Sequence, residues 1–206
     1  MAPAIADLDR WPRFTADHPL RLLVSACITG VRCGSDATAY GAPYSHTTRL
    51  LQLPNVRPVA FCPEDFAFGT PRAVPDIHGG DGFDVLDGRA RVLSASGDDW
   101  TASMIAAANA MLELAEREDV QLALLMDISA ACGSQVIYLG ARSNGVHQAG
   151  QGVCAALLIR HGIPVVSQRD YRTLGRVMQK LDASFVPDPR ALDHHESEWY
   201  RSHLRS

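Results

Sequence analysis

Three of the five cysteines in the chain stand at the end of an apolar segment. Cys27, Cys62 and Cys132 each end such a segment or follow it closely, and a turn comes next. If the three segments are parallel strands of one sheet, the cysteines meet at its carboxyl edge, where open α/β sheets bind their ligands. Cys33 lies six positions after Cys27. Cys154 stands inside an apolar helical run, which predicts a core residue.

A group of thiols at one sheet edge predicts a metal site. Thiolates bind soft metals, so zinc and an iron–sulfur cluster are the two candidates. A structural zinc site usually draws on paired CxxC motifs, and the sequence has none. The spacing alone leaves zinc slightly ahead of a cluster, with redox-active thiols third. Cysteine is also a common small core residue, but three in equivalent positions argue against a chance arrangement.

The bulk properties limit where such a site operates. The formal charge of −4 lacks the basic excess of a duplex-binding surface, although a local patch for nucleic acid is compatible with it. No apolar run reaches the roughly 18 residues of a membrane span, and acidic residues interrupt the first segment where a signal peptide needs an apolar core. We therefore expect a cytoplasmic protein with no membrane partner, in which the cysteines remain thiols.

Strands and helices are predicted to alternate along the chain. Apolar runs without strict alternation predict strands at 21–26, 56–61, 120–126 and 163–167. Helical spacing predicts helices at 45–53, 100–117, 153–161 and 171–180. This order favours an α/β fold with three layers, in which helices cover both faces of a mostly parallel, Rossmann-like sheet.

A chain of 206 residues is long enough for one well-buried core. We expect an N-terminal arm over 1–19, an α/β domain over 20–170 and a C-terminal helix and tail over 171–206. The sequence does not indicate an oligomeric state.

Some segments carry no clear periodicity. Proline, glycine and charged residues over 65–82 predict a long loop, ordered as a lid or wall by its embedded aromatic residues. Residues 84–93 are predicted to form a hairpin that turns at Asp87-Gly88. Residues 138–148 are predicted to be irregular. In the charged tail, His194 and His195 are interpreted as a solvated pair.

Short motifs along the chain occur in a characteristic order. They are Ser25-Ala26-Cys27-Ile28-Thr29-Gly30-Val31-Arg32-Cys33, Cys62-Pro63-Glu64, Thr70-Pro71-Arg72, Gly79-Gly80-Asp81-Gly82, Asp84-Val85-Leu86-Asp87-Gly88, Ser129-Ala130-Ala131-Cys132-Gly133-Ser134 and Gly150-Gln151-Gly152-Val153. Over about 22–167 the chain thereby resembles the thiouracil desulfurase family, formerly a domain of unknown function. The resemblance implies an α/β domain that holds a 4Fe-4S cluster by three cysteines and removes sulfur from thiolated uracil without net redox change.

The resemblance also implies roles for single residues. The cluster ligands are Cys27, Cys62 and Cys132, which leaves one iron without a protein ligand to take the sulfur of the substrate. Cys33 also matches a family cysteine, and as a fourth ligand it would close that open iron. Glu64 matches a candidate acid or base that activates water.

Ser129 matches a serine that orients substrate or water, and a loop-capping hydroxyl is its structural alternative. Arg72 is a candidate anchor for a substrate oxygen or anion, or else a clamp on backbone carbonyls. Gly133 and Ser134 are further candidates for substrate contact.

The leading hypothesis is non-redox desulfuration of 2-thiouracil or a related small thiolated nucleobase, with thiolated RNA also compatible. A zinc-dependent hydrolase that uses the same cysteines is one alternative. A redox-sensing binding module that carries a cluster or zinc is the other.

Overall fold

The computed structural model describes residues 8–39 and 45–204. Its strands are β1 (Leu20–Ser25), β2 (Val56–Phe61), β3 (Pro75–His78), β4 (Arg91–Ser94), β5 (Leu122–Leu125), β6 (Val136–Tyr138), β7 (His147–Ala149) and β8 (Val165–Ser167). Its α-helices are α1 (Ser45–Leu51), α2 (Pro63–Phe68), α3 (Gly82–Leu86), α4 (Thr101–Arg117), α5 (Val153–Arg160), α6 (Tyr171–Leu181) and α7 (Glu198–His203). Short 3-10 turns cover Leu8–Arg10, Ala26–Thr29, Arg142–Asn144 and His194–Glu196.

The central sheet has four parallel strands in the order β2-β1-β5-β8. Leu23 of β1 is in register with Val59 of β2 on one side and with Ala123 of β5 on the other. The strands that lead to Cys27, Cys62 and Cys132 are therefore direct neighbours, and their carboxyl ends form one continuous edge.

Side chains alternate between the two faces of this sheet. Leu23, Ala123 and Leu125 belong to a core that includes the apolar faces of α4 and α5. Leu22 and Leu124 belong to a second core, which includes residues of α1 and α6. Both faces are thus covered by helices, and the predicted three-layer α/β fold is confirmed.

The prediction of a long loop over 65–82 is wrong at its start, where a helix lies, and in its second half, where a strand lies. Helix α2 begins at Pro63, which suits the first turn of a helix, and the side chain of Cys62 caps it. Strand β3 then pairs antiparallel with β4, so the hairpin predicted at Asp87-Gly88 is also wrong. In its place α3 begins at an Asp81 capping box and separates the two strands.

Two later segments also differ from expectation. The segment 138–148, predicted to be irregular, connects β6 to β7 and overlaps only their adjoining ends; the two strands form an antiparallel ribbon with Ile137 opposite Gln148. In the tail, His194 is buried and only His195 of the two is exposed, so their interpretation as a solvated pair is wrong. None of the described helices is both long and apolar enough to span a membrane.

Candidate functional site

The carboxyl edge of β2, β1 and β5 borders a cavity of about 310 Å³. Cys27, Cys33, Cys62 and Cys132 all line it, as does Glu64. The structure therefore brings four of the five cysteines of the chain to one place, although long stretches of sequence separate them.

Cys27 lies in the 3-10 turn that follows β1. The turn ends at Gly30, whose φ of 95° is a left-handed conformation that glycine adopts without steric cost. Burial, together with the nearby Cys62 and Glu64, raises the pKa of the Cys27 thiol to about 12. This thiol is neutral unless a cation lies beside it.

Cys62 and Cys33 are in contact. The Cys62 sulfur accepts a hydrogen bond from the backbone N–H of Asp65 at 3.4 Å, because Cys62 is the capping residue of α2. The same sulfur lies 3.7 Å from the carbonyl oxygen of Cys33. Burial and the proximity of Cys62 raise the pKa of the buried Cys33 thiol.

Cys132 lies on the loop between β5 and β6. Its backbone N–H donates to Ser129 Oγ at 3.0 Å, which fixes the turn that presents the thiol. The residue is 6% exposed, and burial raises the pKa of its thiol well above the usual range. Cys154, predicted to be a core residue, is fully buried in α5.

The donor set, several thiols around one cavity, is of the kind that binds an iron–sulfur cluster. Among the described residues, no three His, Cys, Asp or Glu side chains are placed to hold one metal ion. A cubane cluster has several irons, so each thiolate binds a different iron and the sulfurs need not converge on one point. Several thiols with raised pKa values around one cavity also need positive charge to become thiolates, which bound iron supplies.

Glu64 is fixed from two sides. Its Oε2 accepts from Arg72 Nη2 at 3.0 Å, and its Oε1 accepts from Ser129 Oγ at 3.0 Å. The side chain of Glu64 is 15% exposed and that of Arg72 only 4%. Arg72 Nη1 also donates to the carbonyl of Gly69 and to Thr70 Oγ1. Arg72 therefore acts here as an orienting partner for the carboxylate and as a clamp on its own loop.

Gly133 and Ser134 lie behind the cavity wall. A Cβ on Gly133 would lie 2.7 Å from the carbonyl oxygens of Ser129 and Val136, so only glycine fits this close backbone approach. Ser134 is fully buried. Neither residue lines the cavity, and their contact with substrate stays a prediction.

Other residues of the wall escaped the sequence analysis. Tyr138, Arg142 and Arg169 line the cavity. Arg142 binds Asp76 through its Nε at 2.9 Å and lies 5.2 Å from the ring centre of Tyr138. For Tyr138 and Arg142, the sequence offered only an aromatic residue and an arginine in the segment predicted to be irregular. The pairing of β6 with β7 brings both of them to the cavity wall.

Comparison with known proteins agrees with this geometry. The sequence model of the 2-thiouracil desulfurase family matches residues 22–170. The uncharacterized protein YbbK of Bacillus subtilis (strain 168) is 35% identical over 151 residues, which cover 72% of this chain and 96% of that protein. A solved structure of the [4Fe-4S]-dependent thiouracil desulfidase TudS is 34% identical and superposes with a TM-score of 0.65, covering 77% of this chain and 97% of TudS. The resemblance inferred from the motifs is confirmed, and the chain belongs to the 2-thiouracil desulfurase family.

Proposed function

We propose that this protein is an iron–sulfur-dependent desulfidase that converts 2-thiouracil, or a related thiolated nucleobase, to the oxygen analogue and hydrosulfide. The observation that carries the proposal is the single cavity lined both by the cysteines of three neighbouring strand ends and by Glu64. Family membership supports the substrate class, and the likeness to TudS supports a 4Fe-4S cofactor.

Cys27, Cys62 and Cys132 are the proposed ligands of the cluster. A 4Fe-4S cluster held by three thiolates keeps one iron free of protein ligands, and that iron supplies a Lewis acid for the sulfur of the substrate. Cys62 and Cys27 follow β2 and β1 closely, and Cys132 lies on the loop after β5, so three neighbouring strands lead to the three ligands. The N–H of Asp65 and the hydroxyl of Ser129 orient two of them.

Cys33 must remain off the iron for this chemistry to work. It lines the same cavity and contacts Cys62, so it is the residue best placed to close the open position. We expect Cys33→Ala to keep the cluster and the activity. Loss of the cluster in this variant would instead make Cys33 a ligand and contradict the proposed open site.

Glu64 is the proposed general base. The reaction replaces a C=S bond by a C=O bond: water supplies the oxygen, sulfur leaves as hydrosulfide with the bonding electron pair, and no electrons are gained or lost overall. The carboxylate accepts a proton from the attacking water, and Arg72 and Ser129 hold it in the required orientation. Glu64→Gln should keep the cluster and lower the rate by about 100-fold or more. Glu113→Gln, an exposed position on α4, is the matched control.

The decisive experiment is anaerobic reconstitution with iron and sulfide, followed by turnover of 2-thiouracil. We expect uracil and sulfide to form in equal amounts, with loss of the thiouracil absorbance. Cys27→Ala, Cys62→Ala and Cys132→Ala should each abolish cluster assembly, whereas Cys154→Ala should not. Full iron binding in the triple variant would reject the ligand assignment.

Two further outcomes would favour the alternatives. Zinc without iron in anaerobically prepared active protein would indicate a zinc hydrolase. A stable cluster with no sulfide release from any thiolated base, free or in RNA, would indicate a binding module.

A further inference from the structure

Asp127 organises the loop that carries Ser129 and Cys132. One carboxylate oxygen, Oδ1, accepts hydrogen bonds from four backbone N–H groups at 3.0 to 3.2 Å. They belong to Ile128, Ser134, Gln135 and Val136. The two ends of the loop are therefore tied to one atom.

This loop needs such a tie because its backbone is strained. Ile128 has a φ of 58°, a left-handed conformation that is unfavourable for a β-branched residue. Strain of this kind persists only where the surroundings hold it in place. The N–H of Ile128 donates both to Asp127 Oδ1 and to the carbonyl of Val136 at 3.1 Å, so the carboxylate is part of what holds it.

The other oxygen of Asp127 binds a residue of the C-terminal tail. His194 Nδ1 lies 2.7 Å from Asp127 Oδ2, and the two side chains are 2% and 0% exposed. Burial alone would raise the pKa of Asp127, but the hydrogen bonds from His194 and from the N–H groups of Gln135 and Val136 hold it below its usual value. An ionised carboxylate only accepts hydrogen bonds, so Nδ1 of His194 is the donor.

The tail is built to present His194 at this point. The backbone N–H of His194 donates to Asp170 Oδ1 at 3.0 Å, and Asp170 Oδ2 accepts from the N–H of Ser167. An Asp193 capping box fixes the 3-10 turn, and Asp193 also binds Thr173 of α6. The ring of Trp199 stacks on His194 at 5.2 Å between centres.

We infer that His194 is a positioning residue of the active site, which holds the loop of Ser129 and Cys132 through its buried hydrogen bond to Asp127. The family match ends at residue 170, so this brace comes from a part of the chain outside it. Its relevance to desulfuration rests on the proposed function, whereas the brace itself rests on contacts that need no cluster.

Hydrogen exchange of the metal-free protein tests the brace directly. In His194→Ala, the amides of Ile128, Ser134, Gln135 and Val136 should exchange about tenfold faster or more, which corresponds to about 1.4 kcal/mol. His194→Asn restores an N–H near the position of Nδ1 and should recover most of the protection. His195→Ala removes the exposed neighbour in the same turn and should match the wild type.

A further readout follows the cluster. In reconstituted protein, His194→Ala should lose iron to a chelator several times faster than the wild type, and His194→Asn should not. If His194→Ala does not fold, the comparison of His194→Asn with His194→Gln decides, because the longer glutamine displaces its amide and should leave the loop amides unprotected.

The two proposals fail in different ways. Wild-type protection of the loop amides in His194→Ala, or equal protection in the asparagine and glutamine variants, would reject the brace even if the enzyme is active. Faster exchange in His194→Ala, with no desulfuration by the wild type, would support the brace and reject the proposed function.

Discussion

The hydroxyl of Ser129 joins the two chemical parts of the site. It donates to Glu64 Oε1 at 3.0 Å and accepts from the N–H of Cys132 at 3.0 Å. A displacement of this one oxygen would therefore move both the proposed base and a proposed ligand.

Replacement of Ser129 by alanine should lower the turnover rate by about 10- to 100-fold and the free energy of unfolding by about 1 to 2 kcal/mol, because it leaves a buried N–H without an acceptor. Ser129→Thr keeps the hydroxyl and should retain most of the activity. The measurement is desulfuration at equal cluster occupancy, with urea unfolding of the metal-free protein. Equal rates for wild type and Ser129→Ala would remove Ser129 from the mechanism.

Arg72 and Glu64 form a largely buried ion pair, and we expect the loss of Arg72 alone to destabilise the protein more than the loss of both charges. In metal-free protein, Arg72→Met leaves the carboxylate without its cation and should cost about 3 kcal/mol or more. The double variant Arg72→Met/Glu64→Gln removes the unpaired charge and should recover much of that loss. Urea unfolding of the four proteins closes the cycle. If the double variant is as unstable as the sum of the single variants, the pair is not coupled.

Among the secondary-structure elements, α5 supports the loop that carries Cys132. Its first N–H groups, those of Val153 and Cys154, donate to the carbonyls of Ala130 and Ala131 at 2.8 and 2.9 Å. The capping residue Gly152 lies against the same loop. A Cβ there would lie 2.5 Å from the carbonyl carbon and oxygen of Ala131, next to Cys132.

Gly152→Ala should therefore displace the Cys132 loop. We expect a loss of about 1 to 3 kcal/mol in the free energy of unfolding and a lower iron content after reconstitution. Gly175→Ala in α6 is the matched control, since its Cβ would make only ordinary van der Waals contacts, the nearest with a side-chain carbon of Pro187 at 3.4 Å. That change should leave stability the same or raise it by up to about 1 kcal/mol. Normal iron content and stability in Gly152→Ala would show that the loop can move away at no cost.

The sequence predicts best those elements whose formation depends mainly on the pattern of their own residues. Apolar runs predict the parallel strands, which place Cys27, Cys62 and Cys132 at one edge, and apolar residues at helical spacing predict the long α4. Helix α3 and the β3–β4 pair were missed because they are short and depend on contacts between distant residues. Gly82 illustrates this, since a Cβ there would lie 2.4 Å from the carbonyl oxygen of Gly152, seventy positions along the chain.

At the scale of the whole molecule, the tail and the sheet edge share one buried polar network. Asp127 and Asp170 follow β5 and β8, and both accept hydrogen bonds from His194. Asp170 also accepts from the side chain of Gln135. The sequence did not reveal this network, because the charged residues around His194 match those of a solvated tail and its partner Asp127 lies 67 positions away.

The two buried aspartates should give opposite pH dependences of stability. Hydrogen bonds hold the pKa of Asp127 below its usual value despite burial, so the ionised form stabilises the fold above about pH 4. This contribution is lost as the pH falls through the depressed pKa of the folded state. Burial raises the pKa of Asp170, so the folded protein takes up a proton there at a pH where the unfolded chain has released it, and a fall in pH through that raised pKa adds stability.

Urea unfolding of the metal-free protein between pH 3 and pH 6 separates the two groups. The stability difference between wild type and Asp127→Asn should narrow as the pH falls, because the wild type loses the benefit of its carboxylate. Over the same fall in pH, the wild type should gain stability relative to Asp170→Asn, because the cost of a buried charge disappears when Asp170 is protonated. Surface carboxylates are common to all three proteins and cancel in these differences. If the two stability differences changed with pH in the same direction, the predicted opposite pH dependences would be wrong. The conclusion that hydrogen bonds outweigh burial in setting the charge of Asp127 would then be wrong as well.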